Sequence, residues 1–342
     1  MISACAALLP IASLAAGPEP VGATDLPAVF KRVQEASHRR SFSGTFVVSA
    51  AGVLSSSRIV HLWDGRDQYE RIETLDGQMR RLYRHNETVH VVWPTAQEAS
   101  IQQIDPVPDF PTPLGRALPA GASAYSVQPQ ANDRIAGLEA QVVTLKPKDA
   151  YRYAQRWWLE RETGLLLRAD LLDERGEVLE SAAFSELQMG SKVSALQLQQ
   201  EMNRLDGYKV LRPILTRTDL EREGWGLAKP VPGFEAVSCV RRAPLTGVRE
   251  ALGTAPSASA SASAPAAAGK PLLQAVFSDG LTHVSLFIEP YDPARHRSEA
   301  LMTAGATHAM ARRSGEWWIT AVGDVPALTL KQLADALERR KP

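Results

Sequence analysis

The chain has 342 residues, of which 44% are hydrophobic and 22% charged, with 38 basic side chains balanced by 38 acidic ones. That length accommodates two domains with cores of their own, and the composition excludes a disordered or fibrous protein. The even charge speaks against a nucleic-acid partner, which a basic excess would announce.

The N-terminus carries an apolar run from Ala6 to Leu14, followed by small residues at Ala15 and Ala16. This is the pattern of a secretory signal, expected over residues 1–23. No basic leader precedes it, so the expectation is that the sequence starts inside a longer signal. The alternatives are a true short signal and a lipoprotein box at Ile2-Ser3-Ala4-Cys5, and against the second stands the apolar rather than polar stretch after Cys5. Removing the signal would take one of the 2 cysteines and leave Cys239 with no intramolecular disulfide partner. No other apolar stretch approaches the roughly 20 residues a membrane helix needs. The mature chain is therefore expected to be soluble.

From residue 24 the predicted elements follow in order. Thr24-Asp25-Leu26-Pro27 reads as a helix start with a capping oxygen, and Leu26, Val29, Phe30 and Val33 form one apolar stripe. From Phe42 to Phe184 the signal is mostly strand, with turns expected at Asp64-Gly65, Asp76-Gly77 and Asn86-Glu87. This predicts a large, strongly curved antiparallel sheet with one or two helices over its concave side. The proline-rich stretch from Ile104 to Ala122 reads as a loop or lid.

The run from Tyr151 to Phe184 is the most informative. It predicts three antiparallel strands separated by Glu162-Thr163-Gly164 and Asp173-Glu174-Arg175-Gly176, where glycine supplies the positive φ of a tight turn. Leu165, Leu167, Ala169 and Leu171 are expected on a covered face, with Arg168 and Asp170 on a wet one. A Gln-rich stretch over 191–205 closes this first domain. Residues 206–224 read as a linker and 225–342 as a smaller second domain. Within it, residues 254–269 form an Ala/Ser insertion that cannot bury enough apolar area to order itself. A last helix is expected to start at a capping box, Thr329 with Gln332, and to bury Leu330, Leu333, Ala334 and Leu337.

Several blocks resemble, in this order, the RseB/MucB family of periplasmic regulators of the envelope-stress sigma factor. In the first domain they are Ser41 to Val47, Leu75-Asp76-Gly77, Pro147-Lys148-Asp149 with Arg152-Tyr153, and Thr163-Gly164-Leu165 through Asp170 to Gly176-Glu177. In the second they are Trp225, Pro232-Gly233-Phe234, Arg241-Arg242, Ser278-Asp279-Gly280-Leu281, Ser285 to Pro290 and Val322 to Pro326. The resemblance implies an α+β protein: a LolA/LolB-like half-open antiparallel barrel with covering helices, then a smaller α/β domain. It further implies a periplasmic protein that binds the periplasmic domain of a single-span membrane anti-sigma factor (RseA- or MucA-like) and shields it from regulated proteolysis. Lipopolysaccharide or the acyl chains of mislocalised lipoprotein would trigger release. No cofactor is expected, and homodimerisation is left open.

For such a function the groove candidates are aromatic: Trp63, Tyr69, Trp93 and Trp157, with core packing as the alternative for each. Trp157 and Trp158 must point to opposite faces of their strand. Arg80, Arg81, Arg84, Arg152 and Arg156 are candidates for a rim that meets phosphate, against the alternative of a solvated face mixed with Glu70, Glu73, Glu87 and Glu160. Phe234, Arg241, Arg242 and Trp317 are the candidate anchors for the partner. Catalytic signatures such as G-x-S-x-G, H-E-x-x-H or a phosphate loop do not occur, and His85 with His90 lacks a third metal ligand. The rival readings are a carrier of lipid or lipoprotein between membranes and, last, a lipid hydrolase.

Overall fold

The computed structural model describes residues 25–103, 110–111, 123–242 and 272–340. The expected signal, the Ala/Ser insertion and all of the proline-rich stretch except residues 110–111 lie outside these.

The first module opens with α1 (Leu26–Arg39) and continues through β1 (Phe42–Ala50), β2 (Val53–Trp63), β3 (Gln68–Thr74), β4 (Arg81–His85), β5 (Thr88–Trp93) and β6 (Glu98–Gln103). It goes on with β7 (Tyr125–Pro129), β8 (Asp133–Ile135), β9 (Leu138–Pro147), β10 (Ala154–Glu160), β11 (Leu166–Leu172), β12 (Val178–Met189), α2 (Ala195–Asn203) and β13 (Lys209–Leu211). These strands form a 13-stranded sheet in the order β13-β6-β5-β4-β3-β2-β1-β12-β11-β10-β9-β7, with β8 beside β9. Pairing is antiparallel except for β13 on β6. The end strands β13 and β7 are not hydrogen-bonded to each other, so the sheet stays open. The turn glycines do as their sequence asks: Gly65, Gly77, Gly164 and Gly176 all have positive φ, and so does Asn86.

Helix α1 buries the expected stripe, with Phe30 and Val33 fully enclosed, each contributing about 1.5–3 kcal/mol. Asp25 stands at its N-cap, but its side chain makes no capping bond. The two helices lie on opposite faces of the sheet. Residues of α1 pack with Phe42, Phe46, Val143 and Trp157 on what we term the inner face. Leu198 and Met202 of α2 pack with Val60, Tyr69, Tyr83 and Val92 on the outer face. Gly44 is required where β1 crosses β12, because a Cβ there would collide with the Glu186 carbonyl.

The alternation expected in β11 is broken by a bulge. Trp158 pairs with Arg168, but Leu159 pairs with Leu166, so Leu167 is the extra residue. Leu166 therefore joins the inner cluster, whereas Leu167 packs outside with Trp158, contrary to the single apolar face read from the sequence. Nor is the opposite face wet. Asp170 is buried there, accepting from Ser181 Oγ at 2.7 Å and from Arg168 Nε at 2.8 Å.

The second module contains β14 (Leu215–Arg217), β15 (Trp225–Leu227), β16 (Glu235–Arg242), β17 (Leu272–Ser278), β18 (His283–Pro290), β19 (Ala300–Ala304), β20 (Thr307–Ser314), β21 (Trp317–Gly323), α3 (Ala327–Ala336) and β22 (Leu337–Arg339). Its 7-stranded antiparallel sheet runs β14-β16-β17-β18-β21-β20-β19, and β15 pairs with β22 beside it. Leu330, Leu333, Ala334 and Leu337 are buried against Phe277, Leu286, Ile288 and Ile319. The capping box is not formed, because Pro326 is the N-cap and Thr329 lies inside the helix. Its hydroxyl instead donates to the Tyr151 carbonyl of the first module at 2.7 Å. The segment read as a linker gives one strand to each sheet, β13 to the first and β14 to the second.

Candidate functional site

The inner face of the first sheet is a continuous aromatic and aliphatic surface. Phe184 lies 6.0 Å from Phe42, 6.1 Å from Phe46 and 5.3 Å from Phe110, centroid to centroid, and Phe110 is 5.5 Å from Phe46. Phe110 is half-buried and touches both inner clusters. Reading residues 104–122 as a proline-rich loop gave no sign that this ring would lie on the sheet.

Of the groove candidates, Trp157 is fully buried on this face, 5.9 Å from Phe30. Trp93 packs half-buried against the same surface, and Trp63 follows Ile59 and His61 on the inward positions of β2. Tyr69 does not join them. It lies on the outer face against Leu198 of α2 and stacks on His85 at 4.5 Å, because β3 turns Ile72, not Tyr69, inward. Trp158 points outward as the strand period requires, giving its indole N–H to Asp133 at 2.9 Å beneath the Arg168 guanidinium.

The basic rim divides into two kinds of residue. Arg81 pairs with Glu73 at 3.0 Å and Arg84 with Glu70 at 3.7 Å, a mixed charged surface. Arg152 is not on the rim at all. Its side chain is wholly buried between the modules, where Nε donates to Asp279 Oδ2 at 2.6 Å. The other guanidinium nitrogens reach Asp149 and, at 2.6 Å, the Pro232 carbonyl. The Phe234 ring lies 4.9 Å from the guanidinium carbon. Tyr125 gives its hydroxyl hydrogen to the same Asp279 Oδ2 at 2.9 Å. Burial alone would lower the Arg152 pKa, but the Asp279 carboxylate outweighs it and holds the charge firmly. Burial and the Asp279 charge together push the Tyr125 phenol well above its ordinary value.

Apolar side chains are exchanged across the same junction. Leu281, from the turn between β17 and β18, is buried in the first module's cluster with Val29, Phe30, Trp157 and Leu159. Tyr151 of the first module packs against the second module's core. Gly305, in the turn between β19 and β20, sits against Ala51 and Leu179, where φ is +61° and a Cβ would crowd the Ala51 amide nitrogen at 3.0 Å.

The four partner candidates lie in different settings. Phe234 is buried under Arg152, and Arg242 is buried in β16. Trp317 is half-buried, edge-on to Trp225 at 5.4 Å and covered by Arg339. Arg241 is exposed and pairs with Glu223 at 2.6 Å. Among the described residues, no group of three or more His, Cys, Asp or Glu is placed to hold a metal ion. Burial pushes the Cys239 thiol up to about 11, which makes it a poor nucleophile at neutral pH. No helix among the described residues is long and apolar enough to cross a membrane.

Comparison with known proteins accounts for both modules. Residues 25–202 match the MucB/RseB N-terminal domain and residues 219–338 the MucB/RseB C-terminal domain. The chain is 30% identical over 336 residues to the sigma factor AlgU regulatory protein MucB of Pseudomonas aeruginosa, covering 96% of this chain and 95% of that one. It is 22% identical over 312 residues to the sigma-E factor regulatory protein RseB of Haemophilus influenzae, covering 90% of each. A crystal structure of MucB in complex with MucA(peri) superposes with a TM-score of 0.66 at 26% identity, covering 93% of this chain and 100% of that one. Two of the blocks that carry the resemblance, around Arg152 and Asp279, meet in one buried ion pair, and the chain belongs to the MucB/RseB family of sigma factor regulatory proteins.

Proposed function

We propose that this protein acts in the periplasm as a sensor and protector. It binds the periplasmic part of a membrane anti-sigma factor, shields it from the protease that would degrade it, and lets go when an acyl chain of lipopolysaccharide or mislocalised lipoprotein occupies the inner face of the first module. The observation that carries this reading is the union of a broad apolar inner face with a second module fastened to it by a buried ion pair. A module so fastened can respond to what its neighbour holds, provided guest and partner prefer different arrangements. The solved complex of a relative with MucA(peri) supports the choice of partner. In this reading Trp63, Trp93 and Trp157 line the guest's wall, while exposed Arg241 and half-buried Trp317 contribute to the partner contact.

The test is a protection assay with a candidate anti-sigma periplasmic domain and its protease, run with and without lipopolysaccharide. Protection that disappears on adding lipid is the expected result. A chain that fails to bind the domain, yet retains stoichiometric lipid through purification, would make it a carrier instead. Turnover of a lipid ester would make it a hydrolase.

A further inference from the structure

The turn Ser278-Asp279-Gly280-Leu281-Thr282 belongs by sequence to the second sheet and by packing to the first module. One oxygen of the Asp279 carboxylate shapes the turn, accepting the amides of Leu281 and Thr282, both at 2.9 Å. Its other oxygen holds the first module through Tyr125 and Arg152. The turn thus presents Leu281 at a fixed place, and that place is among Val29, Phe30, Trp157 and Leu159 on the inner face. Only 7% of Leu281 remains exposed.

We propose that Leu281 is a resident occupant of the surface an acyl guest would use, so that the guest and the docked turn of the second module exclude one another. This rests on the reading that the inner face takes acyl chains. A leucine side chain is a short branched hydrocarbon, chemically equivalent to a stretch of lipid chain. A close-packed interior has no room for both beside Phe30 and Trp157. A guest that advances along the inner face displaces Leu281, and because Asp279 lies two residues away in the same turn, it must also move the carboxylate that Arg152 and Tyr125 hold. Occupancy is in this way converted into undocking. Linkage makes the effect reciprocal: the docked turn weakens the guest by the factor by which the guest weakens docking.

The proposal is tested with dansylated undecanoic acid as the acyl probe and the full chain. Leu281→Ala removes the competitor and is expected to bind the probe about tenfold more tightly than the parent, because a larger fraction of molecules is open to it. Leu301→Ala, at an exposed position on β19, should leave affinity unchanged. Equal affinity of the parent and Leu281→Ala overturns the competition and leaves the trough reading standing. No probe binding by either protein overturns both. Should Leu281→Ala fail to fold, hydrogen exchange of the parent over residues 278–282 decides: saturating probe is expected to accelerate it, and unchanged exchange with probe bound overturns the proposal.

Discussion

Two arginine–carboxylate pairs of this protein look alike at the level of bond length and differ in everything that determines their worth. Arg81 and Glu73 meet at 3.0 Å on the outer surface, with 38% and 22% of their side chains exposed. Arg152 and Asp279 meet at 2.6 Å with neither side chain exposed. Water screens the first pair and replaces it at little cost when one partner is lost. The second has given up its hydration entirely and depends on a full set of partners, so either charge left alone would be stranded in a low-dielectric junction. Ion pairs hold this molecule together where they close an interface, not where they decorate a strand.

The largest effect should come from stranding the guanidinium. Asp279→Ala is expected to cost about 3–5 kcal/mol in urea unfolding, and a loss below about 1 kcal/mol would show that water or a moved carboxylate takes its place. Tyr125→Phe removes one hydrogen bond to the same charged oxygen and should cost about 1.5–3 kcal/mol. A third burial fate sharpens the contrast. His61 is buried without a counter-charge that offsets the cost, and burial lowers its pKa below 6.5, while its Nδ1–H donates to the Arg40 carbonyl at 2.9 Å. The native state keeps His61 neutral while the unfolded chain takes up a proton, so the stability it contributes is present above 6.5 and falls as the pH drops through that value. One proton sets a limit of about 1.4 kcal/mol per pH unit. The urea midpoint should therefore fall between pH 7.5 and 5.5, and His61→Gln should flatten that fall. The smallest effect is expected at the rim, where Arg81→Ala should cost about 0.2–1 kcal/mol and still less at high salt.

Much of the first sheet was legible because its information is local. Turn glycines, the α1 stripe and the opposite orientations of Trp157 and Trp158 follow from backbone sterics and strand period. The bulge at Leu167 was not legible, since nothing in a run of three leucines says which one is skipped, and the skip sends Leu166 inward and Leu167 outward while Arg168, Ala169 and Asp170 keep the faces read for them. Tyr69 was misplaced because strand period says that alternate residues face alike without saying which set faces inward. Arg152 reads as a rim cation for a related reason. Its counter-ion is 127 residues away, and only the docking of two modules reveals it. Thr329 carried a true signal for a polar contact, but the acceptor was the Tyr151 carbonyl and not its own helix.

The connection between the modules sets how far any rearrangement can go. β13 ends at Leu211 in one sheet and β14 begins at Leu215 in the other. Even fully extended, those few residues reach no more than about 14 Å. The second module on so short a leash can tilt but not drift away, and its local concentration at the empty seat stays high. A displaced turn would find its place again as soon as the intruder left, so a response of the proposed kind would reset without synthesis of new protein.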